Sequence, residues 1–147
     1  MTVAIGSDHA GYDLKEVIKK FLDTQNIRYQ DYGTNSTESV DYPDIAVAVS
    51  RAVMKTTDVL GILVCGTGVG MSIIANKIPG IRAALCTSEK LAELSRRHNN
   101  ANILTLGGRT TDAELARKIV KTFLDTPPDP EDRHQRRIQK IHDLTGN

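Results

Sequence analysis

A cysteine followed by alternating glycines, Cys65-Gly66-Thr67-Gly68-Val69-Gly70, is the segment of this 147-residue chain best suited to chemistry. Glycines at 66, 68 and 70 let the backbone turn sharply and leave its N–H groups free to point at an anion, and the helix that MSIIANK predicts adds its positive end. The loop therefore suits an oxyanion or a phosphate. Cys65 lies at the mouth of that helix, where the dipole favours a thiolate, the form that works as a base. A strand cysteine without such a loop is more often a small apolar core residue, which is how Cys86 reads.

Other uses of a glycine-rich loop fit worse. The spacing is GxGxG rather than GxGxxG, the loop follows the third strand, and Cys86 stands where a dinucleotide site would place an acidic ribose ligand. There is no GK[ST] for a P-loop, and a phosphatase-like loop would carry an arginine where this chain has Met71.

Further candidates lie along the chain. Asp8 and His9, after the first strand, can orient a hydroxyl or help to open a sugar ring, although an aspartate there also caps helices. Tyr42 is either a core aromatic or a pocket wall. His98 and Asn99 close the fourth helical segment, where a histidine also answers the helix dipole. Arg109, and Arg133 with Arg137 four residues apart on one helical face, are guanidinium donors that could converge on a phosphate.

The elements that must hold these residues follow from pattern. Short β-prone runs, TVAIG, IRYQDYG, VLGILVC, IRAAL and NILTLG, alternate with helical periodicity, best seen in Leu14, Val17, Ile18, Phe21 and Leu22. Pro43 opens a second helix; others fit Ser88 to Arg97 and Thr111 to Leu124. The expected fold is α/β: a Rossmann-like three-layer sandwich with a five-stranded parallel sheet, order 2-1-3-4-5, helices on both faces and a C-terminal helix over about 130–143. In that helix Asp129 would cap, Pro130 would take the first turn, and Ile138, Ile141 and Leu144 would face inward. Ligands in such sheets bind beyond the carboxyl ends of the first and third strands, where Asp8 and Cys65 fall.

Bulk composition narrows the rest. Residues 1–147 fit a single domain, with 39% apolar residues to fill a core. Lysine plus arginine (19) nearly balances aspartate plus glutamate (18), so no overall field draws the chain to nucleic acid or an anionic membrane. No stretch approaches the roughly 20 apolar residues of a membrane span, and MTVAIGSDHAG lacks a charged lead or an apolar core, so a cytoplasmic location is expected. Two cysteines make no disulfide framework, and no His/Cys grouping has zinc-ligand spacing.

Taken together, SDHAGYDLK, DYPD, CGTGVGMSIIANKIPGIRAA, SRRHNNANILTLGGR and DRHQRRI closely resemble the type B ribose-5-phosphate isomerase family, which includes galactose-6-phosphate isomerase. The resemblance runs over essentially the whole chain and implies the same sheet. It assigns Cys65 as the base that moves a proton from C2 to C1 of the open-chain sugar through a cis-enediolate. Gly66, Gly68 and Gly70 would donate to the enediolate oxygen, with Thr67 as a proton relay. His98 would help to open the furanose ring with Asp8 on the other side of the substrate, and Asn99 would bind sugar oxygens. His9, Arg109, Arg133 and Arg137 would hold the phosphate beside Tyr42, without metal or cofactor. The resemblance also implies a homodimer, able to pair into a tetramer, with a site between subunits to which the neighbour brings His98, Asn99 and Arg109. Some members use a glutamate just after the last loop glycine, where this chain has Met71. The intact His98-Asn99 pair favours ribose 5-phosphate over allose or galactose 6-phosphate; a non-catalytic sugar-phosphate sensor is the alternative of another class.

Overall fold

Alternation along the strands sorts the side chains into two cores. In β3 (Val59–Cys65), Leu60, Ile62 and Val64 join one core while Leu63 and Cys65 join the other. Both faces of a parallel strand are covered by crossover helices, which is why VLGILVC reads as a continuous apolar run. The computed structural model describes residues 1–146. Its remaining elements are β1 (Thr2–Ser7), α1 (Tyr12–Thr24), β2 (Arg28–Asp31), α2 (Tyr42–Met54), α3 (Val69–Ala75), β4 (Ala83–Leu85), α4 (Glu89–Asn99), β5 (Ile103–Gly107), α5 (Ala113–Asp125) and α6 (Asp132–Thr145).

All strand pairings are parallel, and the sheet runs β2-β1-β3-β5-β4. The fold class is the expected one, but β4 and β5 exchange places relative to the order 2-1-3-4-5. Burial explains the exchange: β5 is buried along its whole length, as an inner strand must be, whereas the three residues of β4 are each half-buried, as at an edge. Right-handed crossovers then place the helices. The connections from β1 to β2 and from β4 to β5 run one way across the sheet and put α1 and α4 on one face with α5. Those from β2 to β3 and from β3 to β4 run the other way and put α2 and α3 opposite. Winding therefore reverses between β1 and β3, where the sequence placed its ligand crevice.

Fully buried Ile5, Ile18, Ile62, Ile119 and Phe123 anchor the larger core, each stabilising the fold by about 1.5–3 kcal/mol. Beneath it, Lys15 is completely buried and gives its ammonium to both carboxylate oxygens of Asp31 at 2.8 Å and to the carbonyl of Thr34 at 2.5 Å. Lys19 adds a second ion pair to Asp31 at 2.8 Å.

The C-terminal helix departs from expectation. It starts at Asp132 after Glu131, and no side chain caps it. Asp129 is drawn off by the guanidinium of Arg97, which donates to its carboxylate at 2.9 and 3.2 Å. Ile138 is buried with His134, but Ile141 and Leu144 stand 45% and 75% exposed. The helix packs mainly on α4, with His142 also meeting Arg82.

Candidate active site

Three loops interlock at the carboxyl end of the sheet. After β1, the Asp8 N–H donates to the Val64 carbonyl (3.1 Å), and its buried carboxylate accepts the N–H of Gly11 (3.0 Å), closing the turn into α1. Any side chain at Gly11 would collide with the Val64 carbonyl, so glycine is what lets this turn lie flat on β3. After β5, the N–H groups of Gly108 and Arg109 donate to the carbonyls of Cys65 and Gly66 at 2.7 and 3.0 Å. A Cβ at Gly108 would lie 2.6 Å from the Ala10 carbonyl, which leaves the first and third loops in backbone contact.

Cys65 sits between them at the end of β3, 5% exposed, and its Sγ accepts the N–H of Gly68 at 3.1 Å. Gly68 reaches that position at φ +80°, in the left-handed region that favours glycine. Among the described residues the N–H groups of Gly66, Thr67 and Gly70 have no acceptor, while that of Val69 is taken by Thr67 Oγ1 at 3.3 Å. The loop thus presents free donors beside a thiol that already holds one, an arrangement that stabilises a negatively charged oxygen. Met71 is fully buried in the core, so no carboxylate stands in for the cysteine.

The walls of the crevice follow. Tyr42 lies over Gly70, where a Cβ would come within 2.7 Å of the ring, and at 38% exposed it is not a core aromatic. His9 accepts the Val40 N–H on Nδ1 at 3.3 Å; with that nitrogen as acceptor, the ring proton sits on Nε2 and can be donated to an anion. The segment carrying Val40 and Tyr42 is tied down where Lys15 holds Thr34, where the Ser7 N–H donates to the Gly33 carbonyl at 2.6 Å and where the Thr34 N–H donates to the Ser7 carbonyl at 2.6 Å. Arg109 is exposed beside Gly66, 3.4 Å from where its Cβ would be. This arginine accompanies the cysteine of its own chain, contrary to the expectation that a neighbour brings it.

His98, Asn99, Arg133 and Arg137 lie elsewhere. Three residues separate the end of helix α4 from β5, at the amino ends of the strands, and β3 alone spans seven residues. Cys65 and His98 of one chain are therefore separated by roughly 20 Å of sheet. His98 stacks on His134 of α6, centroids 4.3 Å apart and planes 8° from parallel. Burial, followed by the charges of His98 and Arg133, holds His134 below its ordinary titration range. Asp129 brings a third donor atom within 4.8 Å, but parallel rings aim their in-plane lone pairs side by side rather than at one ion. Arg133 pairs with Glu131 at 2.5 Å, and both it and Arg137 face solvent.

Two features here escaped the sequence reading. The buried Lys15–Asp31 pair left no signal beyond ordinary charges at helical and strand positions. His134 was passed over inside DRHQRRI, although its spacing to Ile138 placed it on the buried stripe.

Residues 3–141 match the ribose/galactose isomerase family. Ribose-5-phosphate isomerase B of Escherichia coli (strain K12) is 44% identical over 139 residues, covering 95% of this chain and 93% of its own. Among solved structures, ribose-5-phosphate isomerase B of Clostridium thermocellum superposes with a TM-score of 0.95 at 48% identity, covering 99% and 98% of the two chains. The Mycoplasma genitalium enzyme with bound ribulose-5-phosphate superposes with a TM-score of 0.93 at 44% identity, covering 99% and 97%.

Proposed function

Given that the chain belongs to the ribose/galactose isomerase family and is a sugar-phosphate isomerase, we propose that it interconverts ribose 5-phosphate and ribulose 5-phosphate with Cys65 as the base. The observation that carries this reading is the Cys65 sulfur at the winding reversal, 3.1 Å from the Gly68 N–H and flanked by unused backbone donors. The Mycoplasma structure holding ribulose-5-phosphate supports the choice of a five-carbon substrate.

The reaction balances without any outside electron acceptor. The thiolate takes the proton from C2 of the open-chain aldehyde; the C2–H electrons form the C1–C2 double bond and the C1 carbonyl electrons move onto O1. Free N–H groups of Gly66, Thr67 and Gly70 meet that oxyanion at the half-open mouth of the loop. The thiol then returns its proton to C1, while the O2 proton passes to O1 through Thr67 Oγ1, leaving a ketone at C2. His9 through Nε2 and Arg109 take the phosphate, and Tyr42 closes the side.

Ring opening needs His98 and Asn99, and roughly 20 Å separates them from Cys65 in one chain. We therefore place His98, Asn99, Arg133 and Arg137 of a second copy against each crevice, in a homodimer. Apolar side chains left bare on α3 (Val69, Ile73) and α6 (Ile141, Leu144) support such a contact.

Steady-state kcat/KM on ribose 5-phosphate, allose 6-phosphate and galactose 6-phosphate, in chelator-treated buffer, tests the reading. Highest turnover on ribose 5-phosphate is expected. Preference for a six-carbon sugar would keep the base and change the substrate; no turnover on any of them would leave a sugar-phosphate sensor.

A further inference from the structure

At the amino ends of the strands, on the pole opposite Cys65, a hollow of about 510 Å³ opens between the end of α2 and the segments entering β4 and β5. Arg82, Arg96 and Lys55 line it, and no aspartate or glutamate does. Arg96 is only 8% exposed. Its Nε donates to the Thr126 carbonyl at 3.2 Å, and its Nη1 to Asn100 Oδ1 at 3.0 Å and to the Ala101 carbonyl at 2.5 Å. Its Nη2 has no acceptor among the described residues. Arg82 donates from Nε to the Asn99 carbonyl at 3.0 Å, from Nη2 to that of Asn100 at 2.9 Å and from Nη1 to that of Gly80 at 3.4 Å, with His142 Nε2 also 3.4 Å from Nη1.

Those acceptors are dipoles at the ends of α4 and α5, whose partial charges answer only part of two full positive charges. Arginines elsewhere in the chain find carboxylates, as Arg97 and Arg133 do, whereas neither Arg82 nor Arg96 forms an ion pair among the described residues. Burial disfavours the charged form of both, and in Arg96 the nearby charge of Arg82 adds to it. Two desolvated guanidiniums facing one hollow, with Arg96 Nη2 unbonded and a lysine at the rim, meet no carboxylate in its lining.

We infer that this hollow is a second anion site, distinct from the sugar-phosphate crevice of its own chain and beside the residues that the proposed homodimer sets against the partner, that takes a tetrahedral oxyanion of the phosphate class on Arg96 Nη2, Arg82 and Lys55. Planar guanidiniums suit such a ligand because each can give two parallel N–H bonds to adjacent oxygens. The site does not depend on the proposed reaction.

Titration of the ¹⁵N-arginine-labelled protein with inorganic phosphate at constant ionic strength tests it. The Nε–Hε signals of Arg82 and Arg96 are protected by their carbonyl bonds and can be assigned by Arg82→Lys and Arg96→Lys. Both are expected to move saturably. Lys55→Glu, at an exposed position that leaves folding alone, should raise the midpoint about fivefold, and Arg109→Ala in the other crevice should not change it. Signals that do not saturate, a midpoint indifferent to Lys55→Glu, or a response lost in Arg109→Ala would overturn the inference.

Discussion

Replacing Gly68 by alanine tests whether the loop, rather than the cysteine alone, builds the site. Gly68 sits at φ +80°, and a Cβ there would lie 2.6 Å from Leu85 Cδ1, 2.9 Å from the Leu106 carbonyl carbon and 3.0 Å from its oxygen. The tip of Leu85 can rotate away; the backbone of Leu106, inside a fully buried inner strand, cannot. A left-handed alanine costs about 1–2 kcal/mol, and overpacking against backbone about 1–3 kcal/mol, so stability should fall by about 2–5 kcal/mol. A chain of this length holds roughly 7–20 kcal/mol and stays folded. The loop relieves the clash by lifting, which takes the Gly68 N–H away from Cys65 Sγ. A hydrogen bond to a charged group contributes about 1.5–3 kcal/mol, equivalent to about a 10- to 150-fold fall in kcat. Urea unfolding and ketose formation from ribose 5-phosphate read the two effects separately. Gly146→Ala, at φ +70° with nothing within 4 Å, isolates backbone strain and should cost about 1 kcal/mol with activity intact. A Gly68→Ala protein with kcat within about threefold of wild type and an unmoved urea midpoint would refute the reasoning.

Other perturbations have equally definite outcomes. Lys15→Met leaves Asp31 with Lys19 as its remaining ion-pair partner and should cost about 2–3 kcal/mol in urea unfolding. Burial raises the Asp31 carboxyl, but the bonds from Lys15, Lys19 and Gly33 outweigh it and bring the folded value below the ordinary range. Its contribution is therefore full above about pH 4 and lost as pH falls through the folded value, so Lys15→Met should show its acid loss of Tm at higher pH than wild type. His134, held low by burial and by His98 and Arg133, binds its proton more weakly folded than unfolded. Stability should thus decline as pH falls below about 6.5, and His134→Phe should flatten that part of the Tm-against-pH curve between pH 7.5 and 5. Cys65→Ala and His98→Asn, each inactive alone, should recover about one quarter of wild-type activity when subunits are mixed and reassorted, since half the dimers are mixed and each has one intact site; no recovery after verified exchange would exclude a shared site.

Much of the architecture was legible because the continuous apolar run of β3, buried on both faces, and the 3.6-residue stripes of α1 and α5, buried on one, speak clearly. Strand order was less so. The place of β4 depends on which side of β5 it docks, and a three-residue strand carries too little pattern to say; its half-buried side chains declare an edge only once folded. Around Cys65, the glycines announced the loop, yet the reason for Gly11, Gly70 and Gly108 lies in contacts with Val64, Tyr42 and Ala10 that are distant in sequence. The start of α6 was misread because Asp129, a good cap by type, is claimed by Arg97 from another helix. Arg109 was expected from a neighbour, but its N–H bond to the Gly66 carbonyl holds it beside the Cys65 loop of its own chain.

The most direct test of the central claim is the rate of proton exchange between C2 of ribose 5-phosphate and solvent, measured with C2-deuterated substrate in wild type and in Cys65→Ala. The account predicts that Cys65→Ala binds ribose 5-phosphate with ordinary affinity and loses exchange by about 10²- to 10⁴-fold. Exchange in Cys65→Ala within a few-fold of wild type would show that another group removes the proton and would contradict the account.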